Sequence, residues 1–480
     1  MAGIISYGAY IPWLRINRKT ISAAMGWFGG AALPGEKAVA NYDEDSISMA
    51  VAAGSDCLSD AKREGIAGVY FASTTSPYKE RQDAGLISLA LDLDPDIRTA
   101  DFADSTKAGT MALVSACEAI KAGTIDNLLV CASDSRLGKA GSTQEQLYGD
   151  GAAAFLIGDK DVIANLEGSY SMSRDFMGYW RAENDKFERS WEERFIRDES
   201  YSKFIPQAIA GLLKKYELNI KDFAKIVYPC LFTREYQAIA KTLGAAPEQI
   251  QQEILTTIGD TGTAHPLMML IAALEDAKPG DKILVVSYGN GSDALFFQVT
   301  DNIEKAKSKK GIKEYLTSKQ ELNNYEKYLS FRGMIPVEKG IRGDEIAFTQ
   351  ISALWRERKS VLALCGVKCK RCGTPQYPYQ RVCVNPACGA IDEMEDYRFS
   401  GKKANLFTYT GDNLAFSPSP PAIYGLVNFD GGGRYWFDIT DCELEPIKVG
   451  MPLVMTFRRK YLDEARGHSG YFWKATPRLA

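Results

Sequence analysis

Histidine is nearly missing from this chain: His265 and His468 are the two present in 480 residues. A mechanism that needs an imidazole base therefore has very few candidates. Long apolar runs are missing as well. None approaches the roughly 20 residues that cross a bilayer, which predicts no membrane segment. The start, "MAGIISYGAYIP", has no basic residues ahead of its apolar ones and does not read as a secretion signal. Neither sign of charge dominates, with 57 Lys and Arg against 61 Asp and Glu and a formal net charge of −4. That balance argues against nucleic acid or an anionic membrane as partner. Together these absences predict a cytoplasmic protein.

What is present is enough for more than one domain. A chain of 480 residues is too long for one ordinary core. Its 45% hydrophobic and 25% charged residues are typical of a globular protein. Residues 1–300 alternate buried-strand patterns, such as "GVYFAS", "NLLVCASD", "AAAFLIGD", "KIVYPC" and "KILVVSYG", with helical ones. The helical stretches include "SISMAVAAGSDCLSDAKREG", "TMALVSACEAIKAG" and "PLMMLIAALEDAKPG". This alternation predicts an α/β fold with a mostly parallel sheet.

The region also echoes itself. "AGTMALVSACEAIKAGTIDNLLVCASD" resembles "TAHPLMMLIAALEDAKPGDKILVVSYG". Both pass from a small-residue turn through a helix and a glycine to a buried strand. This predicts a duplicated unit, about 1–165 and 166–300. Aligned on the helices, Thr106 falls opposite Thr263, so two helix N-termini would face each other across a pseudo-twofold axis. The first of these turns, "ADSTKAGT" at 103–110, is the kind that presents one side chain where backbone N–H groups and the helix dipole favour negative charge. Enzymes often place a thiolate there. Here the turn offers Ser105 and Thr106.

Residues 301–344 are charged and read as a helical extension or connector, with a solvated face. Composition then changes. "FTQISALWRERKSVLAL" reads as an amphipathic helix, and from 404 onward short β patterns such as "AIYGLVNFD" and "GRYWFDITD" suggest a small barrel of the OB type. The expected units are a helix plus ribbon at 345–400 and an OB-fold at 401–480. Four of the ten cysteines crowd into 369–388. Cys369 and Cys372 form a C-x2-C knuckle; Cys383 and Cys388 form a C-x4-C pair. Two knuckles suit tetrahedral Zn(2+) held by four thiolates, a structural site with no open position. Cys365 is out of register and reads as core.

At this point the chain resembles a family. Residues 1 to about 335 are similar to the thiolase superfamily, near its 3-hydroxy-3-methylglutaryl-CoA synthase branch. The resemblance is carried by "ISYGAYIP", "STKAGTMAL", "ASDSRLGKAGS" with "GDGAAAFLIGD", "IGDTGTAHPLM" and "SYGNGSDALFF". Residues from about 345 to 480 resemble the DUF35 family, a zinc ribbon plus OB-fold that accompanies thiolases. The resemblance implies a duplicated thiolase-like fold, a coenzyme A thioester substrate and a dimeric core, as a homodimer or as a hetero-oligomer with a thiolase-like chain.

The family's catalytic groups do not carry over. Its nucleophilic cysteine aligns with Thr106, its acid/base glutamate with Thr74, and its histidine falls near Pro229. What remains to line the site is a different set: Thr106, His265 and Tyr288 as catalytic candidates, and Thr74, Asp260, Asn290 and Cys230 as substrate-binding ones, with Thr261 beside Asp260. Both His265 and Tyr288 are expected to project toward the pocket of Thr106. Each has an alternative reading: a helix cap for Thr106, a hydrogen-bonded helix-start residue for His265, and a buried core thiol for Cys230. Three functions stay open: aldol or retro-aldol chemistry on an acyl-CoA without an acyl-enzyme, acyl transfer with another group in place of the cysteine, and a non-catalytic subunit that pairs with an active thiolase chain.

Overall fold

A computed structural model describes residues 2–28, 30–306, 310–343 and 349–477. The first half of the chain runs β1 (Gly3–Tyr10), α1 (Ser46–Cys57), β2 (Gly68–Ala72), α2 (Asp83–Ala90), β3 (Arg98–Phe102), α3 (Ala108–Lys121), β4 (Leu128–Asp134) and β5 (Gly151–Gly158). The second runs β6 (Ala164–Ser173), α4 (Ser202–Tyr216), β7 (Lys225–Val227), α5 (Thr233–Leu243), α6 (His265–Asp276), β8 (Lys282–Gly289) and β9 (Gly291–Val299).

Among the described residues these strands form a nine-stranded sheet in the order β7-β8-β9-β6-β1-β5-β4-β2-β3. Its halves repeat one another. β3, β2 and β4 pair in parallel, and β5 and β1 continue antiparallel. In the second half β7 and β8 pair in parallel, and β9 and β6 continue antiparallel. The halves join at Gly3↔Asn165 and Ile4↔Ala164. β3 has no full counterpart; in its place stands an isolated parallel bridge, Ile226↔Ile250.

The layers follow from the alternation of side chains along the strands. Leu129, Cys131, Ala152 and Ala154 face α1 and α2. Leu128, Val130, Phe155 and Ile157 face the central helices α3 and α6. In the second half Ile283, Val285, Leu295 and Phe297 face those same helices, whereas Leu284, Val286 and Phe296 face α4. Both faces of the sheet are covered, which is why β4 is buried throughout. α6 is buried from His265 through Leu274, so it is apolar all round. The close approach of the two central helices needs Gly109: a Cβ there would stand 2.4 Å from the Thr263 carbonyl oxygen. This is the duplicated thiolase-like architecture, with two helix mouths facing each other.

The extension corrects one expectation. It is not simply a solvated helix. It breaks into Ile303–Ala306, Ile312–Thr317 and α7 (Tyr325–Phe331). α7 buries Tyr325, Tyr328 and Phe331 against Leu14, Ile16, Ile21 and Val39, so its charged residues cover an aromatic stripe. The expected boundary at 344 and 345, and the first residue of the amphipathic helix, lie outside the described residues. That helix is α8 (Ile351–Leu362).

A three-stranded ribbon follows, β10 (Cys365–Cys369), β11 (Pro375–Gln376) and β12 (Met394–Arg398), ordered β11-β10-β12. The barrel consists of β13 (Ala404–Asp412), β14 (Ala422–Phe429), β15 (Arg434–Asp438), β16 (Pro452–Asp463) and β17 (His468–Pro477), ordered β15-β14-β13-β16-β17. The bridge Ile439↔Ala475 closes it, as in an OB-fold.

The barrel docks on the loop that leads into α1. The buried Arg458 guanidinium pairs with Asp43 at 3.4 Å and with Glu44 and Asp441. Lys474 pairs with Asp43 at 2.8 Å, and the Tyr471 hydroxyl donates to Asp45 at 2.7 Å. Among the described residues no helix is long and apolar enough to cross a membrane.

Candidate functional site

The turn between β3 and α3 sits against the end of β8, from the other half of the fold. The Thr106 hydroxyl donates to the Tyr288 carbonyl oxygen at 2.7 Å. Ser105 Oγ accepts the N–H of Asn290 at 3.3 Å. Gly289 permits this approach, because a Cβ there would lie 2.2 Å from Ser105 Oγ. One turn along, Lys107 pairs with Asp293 at 3.1 Å and the Thr110 hydroxyl donates to the same carboxylate at 2.8 Å. Thr263 mirrors Thr106: its hydroxyl donates to the Ala72 carbonyl at the end of β2, 3.1 Å away. Each threonine thus caps a strand end in the opposite half.

Thr74 lies in the loop after β2. Its N–H and hydroxyl both donate to Asp134 Oδ1, at 2.7 and 3.0 Å. Ser73 and Thr75 donate to that oxygen as well, and the Thr263 N–H donates to Oδ2 at 2.8 Å. Asp134 therefore fastens the loop after β2 to the turn before α6. Arg181 donates to the Thr74 carbonyl from the far side.

His265 opens α6 and is 2% exposed. Its Nδ1 is 3.8 Å from Asp260 Oδ1 and its Nε2 is 3.8 Å from Glu253 Oε1. Burial lowers its basicity, and the Arg136 charge adds to this, so the imidazole is held toward its neutral form. Burial alone would raise the Asp260 carboxyl; Arg136 and His265 outweigh it and hold it below the ordinary range. Arg136 is the hub of this group. It pairs with Asp260 and, at 3.6 Å, with Glu188, and it lies 4.1 Å over the Tyr148 ring. Two carboxyls go the other way: burial raises that of Glu188 and pushes that of Glu253 up to about 7.

The structure does not bring all the expected residues into one pocket. Thr106, Asn290 and the Tyr288 backbone meet at the mouth of α3, and Asp260 and His265 meet behind α6. The phenol of Tyr288 departs from expectation. Residues of β8 alternate, and Ser287 faces α3 while Tyr288 faces α4. Its hydroxyl donates to Ser200 at 2.8 Å and its ring stacks on Tyr201, centroids 3.9 Å apart. Burial pushes it up to about 12. Cys230 is buried, and its thiol is also pushed up to about 12 by burial; it lines a cleft of about 570 Å³ beneath α5. A second, narrow cavity of about 20 Å³ lies between the short helix Thr143–Leu147 and Trp191, Leu231 and Phe232, with room for about one water.

The sequence reading missed Asp134, Arg136, Glu188 and Glu253. Arg136 and Asp134 stand inside the quoted "ASDSRLGKAGS", but Glu188 comes from a distant irregular segment with no local signal.

The four ribbon cysteines converge, with every Sγ within 4.8 Å of the others. The Cys369–Cys388 and Cys372–Cys383 separations are 3.8 and 3.5 Å. Four thiolates about 2.3 Å from a tetrahedral metal would stand about 3.8 Å apart, so the set fits such an ion.

The geometry can now be set beside known proteins. The family model "ChsH2, C-terminal OB-fold domain" matches residues 397–458. The hydroxymethylglutaryl-CoA synthase of Methanopyrus kandleri is 35% identical over 324 residues, which is 65% of this chain and 92% of that protein. That of Methanocaldococcus jannaschii is 33% identical over 344 residues, 70% of this chain and 99% of that protein. Among solved structures, an HMG-CoA synthase complexed with CoA superposes with a TM-score of 0.62 at 20% identity, covering 72% of this chain and 94% of that one. The 3-oxoacyl-[acyl-carrier-protein] synthase III of Aquifex aeolicus superposes with a TM-score of 0.56 at 20% identity, covering 62% and 100%.

The doubled sheet with paired central helices is the fold of the thiolase-like synthases. Within that class, this chain belongs to the hydroxymethylglutaryl-CoA synthase family and carries in addition a four-cysteine ribbon and an OB-fold.

Proposed function

We propose that this protein binds an acyl-CoA thioester at the mouth of α3 and makes or breaks a carbon–carbon bond by an aldol or retro-aldol route, without an acyl-enzyme. One observation carries this reading. The Thr106 hydroxyl, at the position that aligns with the family's cysteine, is donated to a backbone carbonyl at 2.7 Å. A threonine is a weak nucleophile unless a base takes its proton. Thr74 and Pro229, which align with the family's glutamate and histidine, supply none. The helix N-terminus at Thr106 still favours an enolate or thioester oxygen. In this reading Thr106 and Asn290 contact the thioester, and His265, whose Nδ1 accepts the Thr261 N–H at 3.4 Å, serves the proton transfer from behind α6 without touching the substrate. Tyr288 holds Thr106 through its carbonyl, and its phenol takes no part.

The ribbon is read as a structural Zn(2+) site, and the chain as divided into 1–300, 301–344, 345–400 and 401–480. The free thiols, including the buried Cys57, Cys117 and Cys131, accord with a reducing cytoplasm. A second reading, a subunit that works beside an active thiolase-like chain, is favoured by β3. Among the described residues that strand pairs only with β2, and its open edge leads straight into Ser105 and Thr106. A second chain, as a homodimer or a hetero-oligomer, would add a strand there.

Intact mass after incubation with acetyl-CoA or acetoacetyl-CoA tests the reading: no adduct is expected, and one mapped to residues 103–110 overturns it. With β-hydroxyacyl-CoA substrates, His265→Ala should lower turnover by about 10²–10⁴-fold. If wild-type protein turns over none of them, even beside a thiolase-like chain, the subunit reading replaces the enzymatic one.

A further inference from the structure

The loop between β2 and α2 is fastened at both ends by side chains. At its start Asp134 collects Ser73, Thr74 and Thr75. At its end the Gln82 amide donates to the Thr99 carbonyl at 2.9 Å. The N–H groups of Asp83 and Ala84 donate to the Asp101 carboxylate at 2.7 and 2.9 Å. Thr99 and Asp101 both belong to the edge strand β3. Asp101 thus supplies, from another strand, the acceptor that the first N–H groups of α2 need.

The Asp83 side chain stands outside this order. It is 0% exposed, and neither of its carboxyl oxygens has a hydrogen-bond partner. Ser76 and Arg81 of the same loop face it and favour its charge, yet neither stands in hydrogen-bonding geometry with it. Two carboxyls face it as well: Asp101 from β3, and Asp45 from the start of α1, where the barrel's Tyr471 hydroxyl donates to Asp45. An ionised carboxylate buried without donors is far costlier than a neutral carboxyl, and a second carboxylate beside it adds repulsion. Burial first, and then Asp101, push the Asp83 carboxyl up to about 7. Burial raises Asp101 too, against the two N–H groups that it accepts.

We propose that Asp83 is a proton-operated latch for this loop: while neutral it stays buried and holds residues 76–84 against β3, and once ionised it moves out to water and that segment comes away. Residues 73–75, held by Asp134, are the hinge. The direction follows from the chemistry. A carboxyl raised in the closed state favours closure at low pH, and that contribution is lost as pH rises from the ordinary 3.8 through about 7. The open population should therefore grow by up to about tenfold per pH unit over that range and level off above it. What opening means for a substrate rests on the function proposed above, since Thr74 lies on the hinge. The latch itself is read with no ligand present, so the two can fail separately.

The test is hydrogen-exchange mass spectrometry of the full chain, corrected for the intrinsic effect of pH on exchange. From about pH 5 to about pH 7 the protection of residues 76–84 should fall by about tenfold or more, while that of the buried strand β4 holds. Asp83→Asn, a neutral isostere, should keep the segment protected at both values, with only the smaller change due to Asp101 remaining. In the infrared, the C=O band of a protonated carboxyl should be present in wild type at about pH 5, missing from Asp83→Asn, and lost from wild type as pH passes about 7. Equal protection of wild type at the two pH values, an equally steep fall in Asp83→Asn, or no such band at about pH 5 overturns the proposal. The wild-type exchange profile decides the matter even where the variant is less stable.

Discussion

The backbone N–H of Ser469, in the OB barrel, donates to the hydroxyl of Tyr78, in the thiolase-like half, at 2.9 Å. His468 Nδ1 stands 3.5 Å from the same hydroxyl. Tyr78 belongs to the loop after β2 that also carries Thr74, so the barrel holds the lip of the candidate site from outside while Asp134 holds it from within.

Tyr78→Phe tests that clasp. It removes the acceptor and should destabilise the protein by about 0.5–1.5 kcal/mol, the net worth of one hydrogen bond. Hydrogen exchange should quicken in residues 73–83 and at Ser469, with the ribbon unaffected. Unchanged protection of residues 73–83 would show that the barrel does not hold the loop.

The Arg458 cluster makes a stronger prediction. Arg458→Met leaves Asp43, Glu44 and Asp441 buried without their shared cation, and breaking such a pair from one side typically costs about 3–5 kcal/mol. The barrel should undock or melt first in differential scanning calorimetry. A single unshifted transition would count against this role.

The same cluster sets a pH dependence. Burial pushes the Glu44 carboxyl up to about 7; Arg458 opposes this, and Asp441 and Asp43 add to it. A carboxyl raised on folding favours the folded state at low pH, and that contribution is lost as pH rises from its ordinary value of 4.5 through about 7. Asp441 is raised also, by burial first, and acts in the same direction. Docking should therefore weaken between about pH 4.5 and about pH 7. Glu44→Gln should flatten the change in melting temperature over that window; a profile as steep as wild type would rule Glu44 out as its source.

For the ribbon, metal analysis of purified protein should find about one zinc per chain, since four thiolates at these separations suit that ion. Cys369→Ser or a strong chelator should unfold the ribbon, because metal binding is folding free energy for so small a module. The thiolase-like half should keep its own transition. Far less than one zinc per chain would remove the metal from the account.

How much of this could be read from the sequence depended on range. The ribbon was legible because its four cysteines lie within 20 residues, and the spacing alone brings the thiols together. The duplication was legible because both copies keep the turn–helix–glycine–strand order. The direction of the Tyr288 side chain was misjudged, although alternation along "KILVVSYG" holds the answer: Ser287 and Tyr288 cannot face the same layer. Glu253 and the Arg458 cluster were not legible at all. Arg458 and Asp43 are 415 residues apart, and nothing local marks an acid and a base that will meet across two domains.

The reduced fifth strand of the second half has a consequence for assembly. A faithful duplication would leave each chain with two open sheet edges. Chains sharing both could join end to end without limit, as fibres do. Here β3 presents five residues, whereas the opposite end of the sheet stops at the three-residue β7 and the single bridge Ile226↔Ile250. The two ends of the sheet are therefore unlike in length and in what covers them. Copies that met through β3 would close as a twofold pair, and the short β7 end offers no equivalent five-residue strand for a second such contact.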